Sequence, residues 1–120
     1  MSKNTLVIGA SINKERYSYR VIKKLLDKNH KVFALGKNKD KIHDIIIHPN
    51  FKFFNKIHTI TLYISPKIQM NYFDYVLKLN PKRVIFNPGS ENFDFANFLS
   101  KNSIKWENSC TLVLLSTNQY

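Results

Sequence analysis

Cysteine is almost missing from this chain. A single Cys110 excludes an internal disulfide and a thiolate metal cluster. Long apolar runs are missing too. No stretch reaches the length of a membrane span, and no charged-then-apolar leader with a small-residue cleavage site precedes the first apolar segment, so a cytoplasmic protein is expected. Glycine occurs three times, too seldom and too far apart for a Gly-x-Gly-x-x-Gly fingerprint. The four histidines, His30, His43, His48 and His58, contain no i, i+4 pair and have no cysteine or carboxylate cluster beside them, so they read as structural or surface residues and no metal site is expected. No Gly-x-Ser-x-Gly elbow supports a hydrolase.

Acidic residues are also scarce: 8 against 19 Lys and Arg, a net charge of +11. Such a balance invites a nucleic-acid partner. The excess is nearly all lysine and is scattered, densest at Lys23-Lys24, Lys37 to Lys41 and Lys82-Arg83. A drift of composition toward Lys, Asn and Ile accounts for it. Arginine and aromatics, which stack on and clamp bases, form no interleaved stripe, so nucleic acid is not the expected partner. The same surplus favours a polyanionic small ligand.

With 120 residues, 43% of them hydrophobic and 13% aromatic, the chain can build one real core, and residues 1–120 read as a single domain without linker or repeat. Apolar runs alternate with helix-period segments, the pattern of an α/β protein with a mostly parallel sheet of about five strands. The strands fall at Thr5 to Gly9, Lys31 to Leu35, Thr59 to Ile64, Arg83 to Phe86 and Ile104 to Glu107, with Ile45 to Ile47 as a short edge strand. Ser18 is the expected N-cap of a first helix to about Asn29, carrying Tyr19, Ile22, Leu25 and Leu26 on one face. Ser65 and Pro66 open a second to about Leu79, with Ile68, Tyr72, Val76 and Leu79 turned inward. Asn92 caps a third that buries Phe95, Phe98 and Leu99. The tail from Cys110 to Leu115 suits helix or strand.

In such sheets ligands sit outside the carboxyl ends of the strands, so those loops carry the chemistry. The first, from Gly9, Ala10 and Ser11 to Arg16, Tyr17 and Ser18, permits close backbone approach and offers hydroxyls and positive charge at a helix start, where an anion is favoured. The second strand ends on Leu35-Gly36-Lys37. NAD would want an acid there, but Asp40 lies several residues into the turn, whereas Lys37 suits a phosphate on or near the ribose. That leaves NADP or a 3′-phosphorylated nucleotide. The turn Asn87-Pro88-Gly89-Ser90-Glu91-Asn92 can again face an anion, and Glu91 suits either a ligand hydroxyl or the following helix dipole.

Taken in order, Val7-Ile8-Gly9-Ala10-Ser11, Arg16-Tyr17-Ser18, Lys37, Asn87 to Asn92 and Glu107 to Val113 resemble the small CoA-binding proteins, single-domain relatives of the CoA-binding domain of the succinyl-CoA synthetase alpha subunit. The resemblance implies a Rossmann-like three-layer sandwich and coenzyme A as ligand. It maps binding onto Gly9, Ala10, Ser11, Arg16, Tyr17, Ser18, Lys37, Asn87, Pro88, Gly89 and Glu91. It also makes Cys110 a candidate for a mixed disulfide with CoA. The synthetase's second domain with its phosphorylated histidine is not in this sequence, so ligase chemistry is not carried over. Where such proteins often read Asn-Pro-Lys, this chain reads Leu35-Gly36-Lys37. The resulting expectation is a non-catalytic CoA or acyl-CoA binding module, compatible with a homo-oligomer and without a membrane partner. The alternatives are an NADP-dependent or other nucleotide-using enzyme on the same crevice, and a regulatory or interaction protein with a vestigial site.

Overall fold

The computed structural model of the chain describes residues 2–120. Strand β1 (Thr5–Ala10) is nearly all apolar and lies at the centre of the sheet, because only a strand buried on both faces reads as an unbroken hydrophobic run. The helix α1 (Tyr17–Asp27) then leads to β2 (Val32–Gly36), and a hairpin of β3 (Asp40–Ile42) and β4 (Ile45–His48) follows. After a long loop come β5 (Thr59–Leu62), a broken helical segment, β6 (Arg83–Phe86), α4 (Phe93–Lys101), β7 (Lys105–Asn108) and α5 (Thr111–Ser116). The broken segment consists of α2 (Pro66–Gln69), a 3-10 turn over Met70–Tyr72, and α3 (Phe73–Leu79).

The strand order is β3-β4-β2-β1-β5-β6-β7, all parallel except β3 against β4. The chain builds outward from β1 through β2 and β4, then returns to the other side of β1 with β5. The switch point therefore falls between β1 and β5, where Ile8 pairs with Leu62. This is a Rossmann-like α/β fold.

Period-two alternation sorts the core into two layers. Leu6, Ile8, Ile60, Leu62, Val84 and Phe86 face α3 and α4 with Val76, Phe95 and Leu99. Val7, Val32, Ala34 and Ile47 face α1 and α5 with Val21, Ile22, Leu25 and Leu115. Each fully buried aliphatic side chain here stabilises the fold by about 1.5–3 kcal/mol. Ala10 joins the Val7 face although alternation assigns it to the other. A bulge at Gly9 (φ 97°) sets two β1 residues against one step of β2, so that Ala10 pairs with Gly36.

Several sequence expectations change. The sheet has seven strands, because Asp40–Ile42 pairs with Ile45–His48 through a two-residue turn with His43 in the left-handed region. Ile45 to Ile47 is consequently covered by β3 and is not the edge. A short edge strand with two exposed charged residues carries no apolar alternation to reveal it.

The helix begins with Arg16, not Ser18, as N-cap. Asn13 draws the loop into helix early by accepting the Glu15 N–H on its side chain (3.0 Å) and the Arg16 N–H on its carbonyl (3.0 Å). Ser65 and Pro66 do open a helix, but the 3-10 turn resets its phase, so Ile68 is 47% exposed while Val76 and Leu79 are buried. The tail is helical from Thr111. Among the described residues no helix is long and apolar enough to cross a membrane.

Candidate functional site

The carboxyl ends of β1, β2, β4 and β5 open into one cleft of about 890 Å³. Its floor depends on two close approaches. A Cβ at Gly9 would lie 2.7 Å from the Tyr63 carbonyl oxygen, and one at Gly36 would lie 2.3 Å from the Ala10 carbonyl oxygen and 2.7 Å from Ile47 Cγ2. Any side chain at either position would push neighbouring strand ends apart. Gly9 also needs its positive φ, which other residues adopt only at a cost.

Gly9, Ala10, Ser11, Arg16, Tyr17, Ser18 and Lys37, all expected from sequence, line this one cleft. The Ser11 hydroxyl oxygen accepts the Asn13 N–H at 3.1 Å, which leaves its own proton for a ligand. Tyr17 and Ser18 form the first helical positions of α1. No side chain caps that helix, and no acid lies in its first turn. By contrast, α4 is capped by Asn92 Oδ1, which accepts the Phe95 N–H at 3.1 Å, and carries Asp94 in its first turn. The partial positive charge at the start of α1 therefore faces the cleft uncompensated, with the Arg16 and Lys37 side chains on the same lining.

The structure adds residues that sequence reading left aside. Asp40 starts β3 and lies on the same cleft lining as Lys37. Tyr63, Ile64, Ile68 and Tyr72 supply an apolar wall after β5. Burial pushes the Tyr63 phenol well above its usual range, so it remains protonated. Tyr63 read as the end of a strand and Tyr72 as a core-facing helix residue; β5 ends at Leu62 and the helix breaks at Tyr72, which brings both to the cleft.

Asn87, Pro88, Gly89, Glu91 and Cys110 are not on that lining. Asn87 is 2% exposed, and its amide joins three elements. Nδ2 donates to Thr61 Oγ1 (2.7 Å) and to the Leu62 carbonyl (2.9 Å), while Oδ1 accepts the Thr111 N–H (2.9 Å). The Glu91 carboxylate accepts the Gly89 N–H at 2.8 Å within its own turn. Gln69, fully buried, donates to the Ile64 carbonyl (2.9 Å) and the Ser90 carbonyl (2.7 Å), stapling this turn to the apolar wall of the cleft. Cys110 is half-buried and is the N-cap residue of α5, directly before Thr111.

Fold and cleft together define a doubly wound α/β domain with a cationic crevice beside its topological switch point. The family model for the CoA binding domain matches residues 3–116, and the chain belongs to that family. Among solved structures it is similar to a crystal structure described as that of an uncharacterized protein, 37% identical over 100% of this chain and 99% of the other, with a TM-score of 0.97. A hypothetical protein from Pyrococcus horikoshii OT3 is 22% identical, covering 97% of this chain and 83% of that one, with a TM-score of 0.88. The fold also matches a dinucleotide-forming acetyl-coenzyme A synthetase of Ca. Korarchaeum cryptofilum, in complex with phosphate and ADP. That match is 12% identical, covers 89% of this chain and 25% of the synthetase, and has a TM-score of 0.74. No curated protein matches the chain.

Proposed function

We propose that this protein binds coenzyme A, free or acylated, in the β1–β2–β5 cleft and does no chemistry on it. The observation that carries the reading is the convergence of an uncapped helix start with Arg16 and Lys37 on one cleft, in a chain of the CoA-binding domain family. The diphosphate rests on the backbone of Gly9, Ala10 and Ser11 and on the first turn of α1 at Tyr17 and Ser18. Such N–H groups hold an anion without a side-chain charge. Lys37 takes the ribose 3′-phosphate. The pantetheine arm leaves along Ile64 and Ile68, toward the turn from Asn87 to Glu91 that Gln69 holds in place. Among the described residues the lining carries one carboxylate and no histidine or cysteine, which supports a binding role.

A thermal-shift and calorimetric titration with CoA, dephospho-CoA, NADP and a short DNA duplex at two salt concentrations tests this reading. CoA should bind, and dephospho-CoA should bind about tenfold or more weakly, the worth of one lost charge-assisted contact. Lys37→Ala should lower CoA affinity to the dephospho-CoA level. Binding of NADP without CoA would replace this reading with the nucleotide-using enzyme, and steeply salt-dependent binding of the duplex would replace it with a nucleic-acid role. Intact mass after incubation with CoA disulfide, in the same preparation, reports on Cys110. Thiolate attack on the disulfide forms the Cys110–CoA bond and releases one CoA thiolate, and Cys110→Ser abolishes the adduct.

A further inference from the structure

The cleft is cationic, yet Asp40 stands on its wall. Among the described residues it is the only carboxylate there and the only ion pair is Arg83 with Glu107, so Asp40 forms no ion pair with any of them. Strand pairing fixes its place. Asp40 pairs with Ile47 across the hairpin, Ile47 pairs with Ala34, and Lys37 follows directly on that same strand β2. One carboxylate oxygen accepts the Lys41 N–H at 2.8 Å, which leaves the other without a protein donor. Asp40 is exposed, and its charge repels a phosphate bound nearby unless a ligand hydroxyl donates to it.

We propose that Lys37 and Asp40 together read the ribose of the ligand: Lys37 takes a 3′-phosphate while Asp40 accepts a hydrogen bond from a free 2′-hydroxyl. This rests on the CoA reading above and adds a selection rule to it. The site takes 3′-phosphoadenosine compounds and rejects 2′-phosphoadenosine compounds, because a 2′-phosphate would bring its negative charge against Asp40.

Adenosine 3′,5′-bisphosphate and adenosine 2′,5′-bisphosphate test the rule, since the isomers carry the same charge and differ only in where the phosphate sits. Calorimetric titration of the whole protein with both isomers and with CoA should show the 3′ isomer binding about tenfold or more tightly than the 2′ isomer. Asp40→Asn keeps the oxygen that accepts the Lys41 N–H but removes the charge. It should strengthen binding of the 2′ isomer severalfold and shrink the preference, with an unchanged melting temperature in the absence of ligand. Asp40→Ala should in addition weaken the 3′ isomer. If the wild type binds CoA but treats the isomers alike, or the preference survives in Asp40→Asn, the ribose rule is wrong and CoA binding stands. If the wild type binds neither CoA nor either bisphosphate, both readings fall.

Discussion

Gly36 shows how little room the top of the sheet leaves. A Cβ there would collide with the Ala10 backbone and with Ile47, and backbone does not yield as a flexible side-chain tip does. Gly36→Ala should therefore lose about 1–3 kcal/mol or more in urea unfolding and weaken ligand binding by prising β1 from β2. Gly89 is the control. Its φ of 94° strains an alanine, but nothing lies within 4 Å of the new Cβ, so Gly89→Ala should cost only about 1–2 kcal/mol and leave the cleft intact. A Gly36→Ala protein as stable as wild type would contradict the close approach. The sequence suggested Gly9 as a place where a ligand approaches the backbone, and the structure shows a second reason for glycine there, the crowding of the Tyr63 backbone. The crowding at Gly36 comes from Ala10 and Ile47, both distant in sequence, and no local pattern announces it. Asn87 illustrates the same limit: a polar residue in a Pro-Gly turn reads as exposed, and only the fold shows Thr61 and Thr111 consuming its amide.

Helix ends follow from the shortage of glycine. Both glycines with positive φ are used elsewhere, Gly9 at the β1 bulge and Gly89 in the turn after β6, and α1, α3, α4 and α5 each end on a left-handed asparagine or serine: Asn29, Asn80, Ser103 and Asn118. At α4 the Ile104 N–H reaches back to the Leu99 carbonyl at 2.9 Å and the Ser103 N–H to the Ser100 carbonyl at 3.1 Å, a Schellman closure with the least suited residue type at its left-handed position. Ser103→Gly should relieve that strain and raise unfolding free energy by about 0.5–1 kcal/mol without altering ligand affinity. A loss of stability would mean that the Ser103 side chain holds something the closure does not need. Elements with a long uniform period, such as α1 through Ile22 and Leu25, or with a purely apolar run, such as β1, were legible in the sequence. The break at Met70–Tyr72 was not, because the apolar residues on either side of it happen to keep helical spacing. The charged strand β3 was not legible either, since its only recommendation is a partner strand.

At the scale of the molecule, the order of parallel strands decides what meets what. Loops after β1, β2 and β5 share one edge, so the Gly9, Arg16 and Lys37 regions, far apart in sequence, gather on one cleft; the β6 turn and Cys110 stand beyond its lining. The opposite edge holds a second cationic cluster with its own consequence. His30 Nδ1 accepts the Lys3 N–H at 2.9 Å, and His58 Nδ1 pairs with Thr59 Oγ1 at 2.7 Å while Arg83 Nε donates to that same hydroxyl at 3.2 Å. The His30 ring works as an acceptor, and the His58 ring shares a hydrogen bond with a hydroxyl. Desolvation first, and then the charges of Lys3, Lys28, Lys82 and Arg83, hold their pKa values below the usual histidine value of 6.5. The sign follows from linkage. Above about pH 6.5 both rings are neutral folded and unfolded. Below it the unfolded chain takes up protons that the folded one resists, so stability falls as pH falls. The buried phenols give the opposite arm: burial raises Tyr72, Tyr120 and Tyr75, the last to about 12, so stability is lost again as pH climbs past the ordinary tyrosine value of 10. Denaturant unfolding should accordingly be level between these limits and decline from pH 7 to pH 5. Replacing both histidines by asparagine, which still offers a hydrogen-bonding amide but cannot take the proton, should reduce the acid decline to the share of His48, whose pKa burial also lowers. A double variant with an undiminished slope would place the proton uptake elsewhere.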